Sequence, residues 1–229
     1  MEKGYKPTNQ EIREAFENEL AAVGGAVSDA FDDGSHLFLR SILPASTDVR
    51  PGDRVRAGIA LRASGRQVLV HPYTFRQVCS NGAILAQAVQ TRRIERVEEP
   101  DLPWIAAERL EEVREAVRVC AAPEAFITAS QQMRTAAELE ADQVIMAMTF
   151  QITHSPRHIA SGLVTQILSR FSDDRDRSAF GLMNAITATA RDTRDPDLRW
   201  RLEELGGGVL DRLSKAPVPD DEELAELIA

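Results

Sequence analysis

A two-residue linker, Ser64-Gly65, separates two runs in which apolar and polar residues alternate. The runs cover residues 54–63 and 66–73. Alternation with a period of two is typical of β-strands, and a two-residue loop that contains glycine favours a tight antiparallel hairpin. The sequence therefore predicts a hairpin here, and a chain with this hairpin has to build its core against a sheet.

Further elements are predicted on the N-terminal side and directly after this hairpin. A helix begins near Thr8, because Thr8 and Glu11 have capping-box spacing, and ends at Gly24-Gly25. Residues 36–43 are rich in large apolar residues and predict a strand that Pro44 ends. The apolar spacing in 75–90 predicts a helix, and residues 91–97 predict an edge strand.

From Pro103 onward, prolines and capping residues predict a series of helices. They cover residues 103–120, 123–152, 156–171, 176–192 and 196–205, and the three glycines at 206–208 are predicted to end the last one. The predicted fold class is α+β, with a small antiparallel sheet and a central hairpin followed by a mostly helical C-terminal half. We divide the chain into an N-terminal helix and lead-in (1–34), a basic sheet with its following helix (35–100), a helical half packed on the sheet (101–214) and an acidic tail (215–229).

The charge of this chain is unevenly distributed. The formal net charge is −9, which argues against a surface that is basic all over. Between residues 36 and 96, however, ten arginines face three acidic residues, which gives this segment a charge of +7 and leaves −16 for the rest. The positive charge therefore coincides with the predicted sheet.

Several classes of protein are disfavoured by composition. The first residues carry acids where a signal peptide needs an apolar core, and no apolar run approaches the roughly 18 residues of a membrane span. Cys79 and Cys120 lie too far apart in sequence for a C-x-x-C pair, and no phosphate-binding or dinucleotide glycine motif occurs. We expect a cytoplasmic protein without a membrane partner, a metal or a cofactor.

The predicted sheet has one face on which arginines and aromatic rings alternate with small residues. Opposite strands of the hairpin place Arg54, Arg56, Arg62 and Tyr73 on this face, and residues 36–43 add Phe38 and Arg40 if they join the sheet. Arg76 follows closely enough to project toward it. Such a face suits single-stranded nucleic acid, with guanidiniums on phosphates and rings on bases. The alternative is that the arginines only hydrate the sheet, while Phe38 or Tyr73 packs under a later helix.

Two short motifs carry a resemblance to a known family. The segment FRQVCSNGAI supplies Arg76, Cys79 and Asn81, and FGLMNAITATARD supplies Asn184 and Thr187. In these motifs and in their order, the chain resembles the phage- and plasmid-associated family catalogued as domain of unknown function 932. It departs from the usual pattern at Gly82 and Ala83, where threonine and leucine are commoner.

This resemblance implies a mobile-element protein but no established activity. The order of helix, basic sheet and packed helix is also similar, at the level of fold alone, to single-strand annealing proteins of the RecT and Red beta kind, which act as rings or filaments without nucleotide hydrolysis. We therefore predict a non-enzymatic homo-oligomer that binds single-stranded nucleic acid. The alternatives are a protein-binding module that modulates a host or phage complex and a metal-dependent enzyme acting on nucleic acid.

Other clusters are interpreted structurally. Cys79 is interpreted as a packing residue, since a nucleophilic thiol would need a base and His71 is the one histidine close in sequence. His154 and His158 are separated by Pro156, which disfavours a shared metal. The aspartates at 173, 174, 176, 192, 195 and 197 sit where helix caps are expected. The acidic tail either keeps the protein soluble, folds back on the sheet or recruits a protein partner.

Overall fold

A computed structural model describes residues 6–96, 103–141 and 161–213 of the chain, and its fold is α+β as predicted. The seven strands are β1 (Ala26–Asp32), β2 (His36–Ile42), β3 (Ser46–Arg50), β4 (Asp53–Ser64), β5 (Gln67–Arg76), β6 (Asn81–Ile84) and β7 (Arg92–Glu95). The six helices within these ranges are α1 (Asn9–Ala22), α2 (Pro103–Cys120), α3 (Pro123–Glu138), α4 (Ser161–Asp173), α5 (Ala179–Asp192) and α6 (Pro196–Leu213).

The strands form one antiparallel sheet around the predicted hairpin. The main path runs β1-β2-β4-β5-β6, with β3 paired to β4 and β7 paired to β5. In the hairpin, Ser64 lies opposite Gln67 and Ala63 opposite Val68, so the loop residues are Gly65 and Arg66. The predicted loop, Ser64-Gly65, would place Ala63 opposite Arg66 and is wrong by two residues in register, a shift that leaves the same side chains on each face. Strand β1, inside the proposed lead-in 1–34, pairs with β2 and is thus part of the same sheet. The sequence did not predict β1 or β3, because β1 is largely exposed and β3 is short and largely polar.

Helices α1 and α2 cover one face of the sheet. Helix α1 begins as predicted, with Thr8 and Glu11 forming a reciprocal capping box. Apolar side chains from α1, α2 and four strands form one buried cluster, which includes Ile12, Phe16, Leu20, Leu37, Leu39, Ile59, Leu61, Val68, Val70, Val113 and Val117. This cluster contains the apolar face that strand alternation assigned to the hairpin.

The opposite face of the sheet is covered as well. Trp200 of α6 packs against Phe38, Ala60, Tyr73 and Ile84. Next to it, helices α3 to α6 and the strand ends share a larger apolar core, which includes Met133, Phe171, Phe180, Leu202 and Leu210. The protein therefore has three layers, with α1 and α2 on one side of the sheet and the C-terminal helices on the other.

The helix predicted over residues 75–90 is wrong. Strand β5 continues to Arg76, a turn with Ser80 at a φ of 51° follows, and β6 pairs back on β5. Two residues that suggested helical periodicity, Val78 and Val89, are 62% and 88% exposed. The apolar spacing therefore came from two surface valines combined with a buried strand. The edge strand predicted at 91–97 is confirmed as β7.

The prediction that the glycines at 206–208 end the last helix is wrong. They lie inside α6. A Cβ atom on Gly207 would lie 1.9 Å from the carbonyl oxygen of Ile84, and one on Gly206 would lie 2.5 Å from Cγ2 of Thr187. The glycines therefore allow α6 to approach β6 and α5 closely, which accounts for residues that are otherwise poor in a helix interior.

The helices predicted at 103–120, 156–171 and 176–192 are confirmed within the described ranges, as Pro103–Cys120, Ser161–Asp173 and Ala179–Asp192. The helix predicted at 123–152 is observed as Pro123–Glu138 and the prediction is wrong at 139–141, where Leu139 is extended and Glu140 forms a β-bridge with Ser178. Residues 142–160 and the acidic tail lie outside the described residues. No helix in the described part of the chain has both the length and the apolar character needed to cross a bilayer.

Two neighbouring glycines give a matched test of this packing. Gly207→Ala should lower the free energy of unfolding by about 1–3 kcal/mol, because the new methyl group collides with the β6 backbone. Gly208→Ala should raise it by up to about 1 kcal/mol, since nothing lies within 4 Å of a Cβ there and alanine favours the helix. Chemical denaturation measures both. Equal effects of the two substitutions would contradict the close approach.

Candidate functional site

The face predicted to carry arginines and aromatic rings lies beneath α6. Phe38, Tyr73 and Arg40 are 0%, 4% and 2% exposed. The ring of Phe38 lies 5.8 Å from that of Trp200, and burial raises the pKa of Tyr73 far above its usual range. The prediction that these three residues contact single-stranded nucleic acid is therefore wrong. The alternative, in which the aromatic side chains pack under a later helix, is the arrangement observed.

A buried ion pair neutralises Arg40. Its Nε donates to both carboxylate oxygens of Glu203, at 2.9 and 2.7 Å, and its Nη1 donates to Asp29 at 3.1 Å. Arg199 also contacts Glu203 and Asp29, at 3.2 and 2.9 Å. Burial raises the pKa of Glu203, while the charges of Arg40 and Arg199 oppose that rise. The network lies between β1, β2 and α6.

Most of the other predicted arginines are also used within the fold. They bind carboxylates in four pairs, Arg50 to Asp176, Arg54 to Asp48, Arg62 to Asp197 and Arg76 to Asp53, at 2.5 to 2.8 Å. Arg56 instead donates to the carbonyl oxygen of Leu43 at 2.9 Å. Asp48 and Asp53 are already counted in the +7, so the acids that balance this charge are Asp29 and those of the helical half, Asp176, Asp197 and Glu203.

The two motif segments contact one another in the structure. Asn81, at the start of β6, donates its side-chain amide to Oγ1 of Thr187 at 2.5 Å and to the carbonyl oxygen of Asn184 at 3.3 Å. All three residues are buried. The contact joins the sheet to α5, so these motif residues have a clear role in packing.

Cys79 lies in the turn before β6, beside two guanidinium groups. Nη1 of Arg76 lies 3.2 Å from its sulfur, and Arg191 donates to its carbonyl oxygen. Arg76 is itself fixed by two hydrogen bonds of 2.6 Å to Asp53. His71 lies five residues before Arg76 along an extended strand, roughly 16 Å away at 3.3 Å per residue. The pairing of Cys79 with His71 as a base is therefore not formed.

At the other end of β4 and β5, the sheet and α6 enclose a cavity of about 630 Å³. Arg62, Leu69 and Arg93 form a row across β4, β5 and β7 on one side of it. Arg201 of α6 also lines this cavity. Arg93 and Arg201 are exposed, and neither forms a hydrogen bond or ion pair with another residue in the ranges described. We call this space the Arg93–Arg201 cavity.

His71 lines the same cavity and is 4% exposed. Its Nδ1 lies 3.1 Å from Oγ1 of Thr91, and its Nε2 has no hydrogen-bond partner. Burial, followed by the positive charge of Arg93, lowers the pKa of His71 to about 4. The ring is therefore neutral at neutral pH.

Sequence reasoning did not bring these cavity residues together. Their grouping depends on the pairing of β7 with β5 and on the extension of α6 through the glycines, both tertiary features. The alternation in the hairpin did place His71 on the correct face.

The acidic clusters considered as metal ligands have other partners. Asp176 binds Arg50, Asp192 binds Arg170 and Arg191, and Asp195 accepts a hydrogen bond from the backbone of Leu198 at the start of α6. Among the described residues, no three histidine, cysteine or acidic side chains are grouped to hold a metal ion. His154 and His158 lie outside the described residues.

Comparisons with known proteins identify no relative. No family model, no curated protein and no solved structure matches the chain. The resemblance to the domain of unknown function 932 family stays a prediction that rests on the two motifs.

Removing one partner of the buried pair tests its energetic weight. Arg40→Met should lower the free energy of unfolding by about 3–5 kcal/mol, because Glu203 keeps a buried charge with less compensation. The double variant Arg40→Met/Glu203→Met should recover much of this loss. Arg54→Met removes an exposed pair and serves as the control, with little change expected. Denaturant titration of the four proteins measures these effects, and a double variant no more stable than Arg40→Met would contradict the coupling.

The buried histidine should make stability depend on pH. The unfolded chain takes up a proton near the ordinary histidine pKa of 6.5, whereas the folded protein does so only near 4. The free energy of unfolding should therefore fall as pH falls from 6.5 toward 4, by up to about 3 kcal/mol. His71→Phe should lack this loss of stability in acid, so its free energy of unfolding should depend less on pH than that of the parent. Denaturant titrations measure this dependence, and an equal pH dependence in the two proteins would contradict the prediction.

Proposed function

We propose that the protein binds single-stranded nucleic acid through the Arg93–Arg201 cavity. The observation that carries this proposal is the pair of exposed arginines that line one cavity without a carboxylate partner in the described chain. Most other arginines of the basic segment already bind acids, so these two guanidiniums keep their hydrogen-bonding capacity for a ligand. Guanidinium groups bind phosphates through paired N–H donors.

The shape of the site favours a single strand. A cavity of about 630 Å³ has the size of a small-ligand site, so it takes one nucleotide unit and not a duplex. Because Phe38 and Tyr73 are buried, phosphate contacts rather than base stacking on these rings supply the affinity. Binding is therefore dependent on salt.

The family resemblance supports the biological setting of this proposal. It favours a protein of a phage or plasmid. The similarity to strand-annealing proteins favours a homo-oligomer, in which repeated cavities hold successive parts of a strand. Avidity of this kind compensates for the few arginines in each cavity.

Substitution of the two arginines tests the proposal. Arg93→Ala/Arg201→Ala should weaken binding to a labelled single strand at about 50 mM salt and make the log–log salt dependence shallower by about 1.4, since two phosphate contacts are lost. Fluorescence anisotropy measures both quantities. Arg175→Ala/Arg194→Ala removes the same charge from exposed positions before α5 and before α6, and should have a much smaller effect.

Three outcomes decide between this function and its alternatives. Equal losses in the two double variants would mean that binding is not located at the cavity. No binding of the parent protein at low salt would overturn the proposal and favour the protein-binding alternative. Cleavage of the strand after addition of Mg²⁺ would favour the enzymatic alternative.

A further inference from the structure

Hydrogen bonding on the inner wall of the Arg93–Arg201 cavity favours one tautomer of His71. Oγ1 of Thr91 lies 3.3 Å from the carbonyl oxygens of both Leu85 and Ala86. Carbonyl oxygens only accept, whereas a neutral imidazole can supply a hydrogen at Nδ1, so the single hydroxyl hydrogen of Thr91 is assigned to one of the carbonyl oxygens. Toward His71 the hydroxyl is then an acceptor, and Nδ1 of His71 carries the hydrogen that it receives.

This tautomer leaves Nε2 of His71 as an acceptor. The ring is neutral because burial lowers its pKa, so a neutral imidazole protonated at Nδ1 has a lone pair on Nε2. Nε2 is buried and has no partner. A buried acceptor without a donor costs free energy, and a ligand that offers an N–H group to Nε2 recovers that cost.

The cavity also has a defined polarity from inside to outside. His71 is buried, whereas Arg93 and Arg201 are exposed. Glu204 lines the cavity as well, where its carboxylate accepts a hydrogen bond of 2.9 Å from the indole of Trp200. Asp211 lines the cavity too and, like Glu204, is half-buried, so His71 forms the buried wall and the two cationic donors stand at the surface. A matching ligand has an N–H donor at one end and an anion at the other.

We infer that the Arg93–Arg201 cavity binds one nucleotide whose base carries an exocyclic amino group. The amino group donates to Nε2 of His71, and the phosphate binds between Arg93 and Arg201. Adenine, cytosine and guanine have such an amino group, whereas the one N–H donor on the Watson–Crick edge of uracil and thymine, N3–H, is flanked by two carbonyl oxygens that these acceptors repel. The inference rests on the proposed function, because the cavity is the same. It adds that a base enters the cavity together with its phosphate.

Titration calorimetry with three small probes tests the base contact. AMP should bind about tenfold more tightly than purine riboside 5′-monophosphate, which lacks the amino group, because one buried hydrogen bond is lost. Ribose 5-phosphate should bind more weakly still. Equal affinities for AMP and the analogue would overturn the inference.

Nuclear magnetic resonance on the unaltered protein tests the same contact and does not depend on whether a variant folds. In long-range ¹H–¹⁵N spectra, Nε2 of His71 should be the unprotonated nitrogen, and its resonance should move upfield when AMP is added but not with ribose 5-phosphate. A spectrum with Nε2 protonated would overturn the tautomer and the inference together. His71→Phe should reduce AMP affinity to that of the analogue, while His36→Phe, on a histidine outside the cavity, should not.

The same measurements separate a strand from a free nucleotide and this inference from the proposed function. If a single strand binds through Arg93 and Arg201 but neither AMP nor the strand moves the His71 resonance, the inference fails while the proposed function stands. If AMP moves the resonance and a single strand does not compete with it, the ligand is a free nucleotide and the proposed function fails. If the strand competes with AMP, both hold.

Discussion

The ion pair between Arg40 and Glu203 joins the two halves of this protein. Arg40 projects from β2 into a space that α6 closes, and a guanidinium there is stable only with carboxylate partners. Glu203 and Asp29 supply them, at 2.7 and 3.1 Å from the guanidinium. Because Glu203 is on the same helix as Trp200, forming the pair also places the indole over Phe38 and Tyr73. The position of α6 on the sheet therefore depends on a charge as much as on apolar contact.

The ion pairs between the sheet and the helical half explain the uneven charge of the sequence. A basic sheet and an acidic helical half invite the interpretation that each half meets a separate partner. In the structure, Arg40, Arg50 and Arg62 of the sheet pair with Glu203, Asp176 and Asp197 of the helical half. The two halves are largely one another's electrostatic partners. Only arginines that this pairing leaves over, such as Arg93 and Arg201, are available for a polyanion.

Local patterns in the sequence predicted the hairpin, the capping box of α1 and the starts of several helices, because each depends on residues close together in the chain. The predicted surface of the sheet failed for a physical reason. Alternation shows which side chains share a face, but whether that face meets water or α6 depends on contacts more than 100 residues apart. The glycines at 206–208 show the same limit. Locally they indicate the end of a helix, but in the structure they allow α6 to approach Ile84 closely.

The candidate site follows from where α6 covers the sheet. Around Trp200 the helix buries the face, so the arginine and rings there become core. Its face with Arg201 and Glu204 instead borders a cavity against Arg62, Leu69 and Arg93. His71 lies between these regions, with its ring 5.7 Å from that of Trp200 and its Nε2 without a partner. One helix thus divides a face that alternation assigns as basic and aromatic into a core and a cavity. Of these two parts, only the cavity is accessible to a ligand.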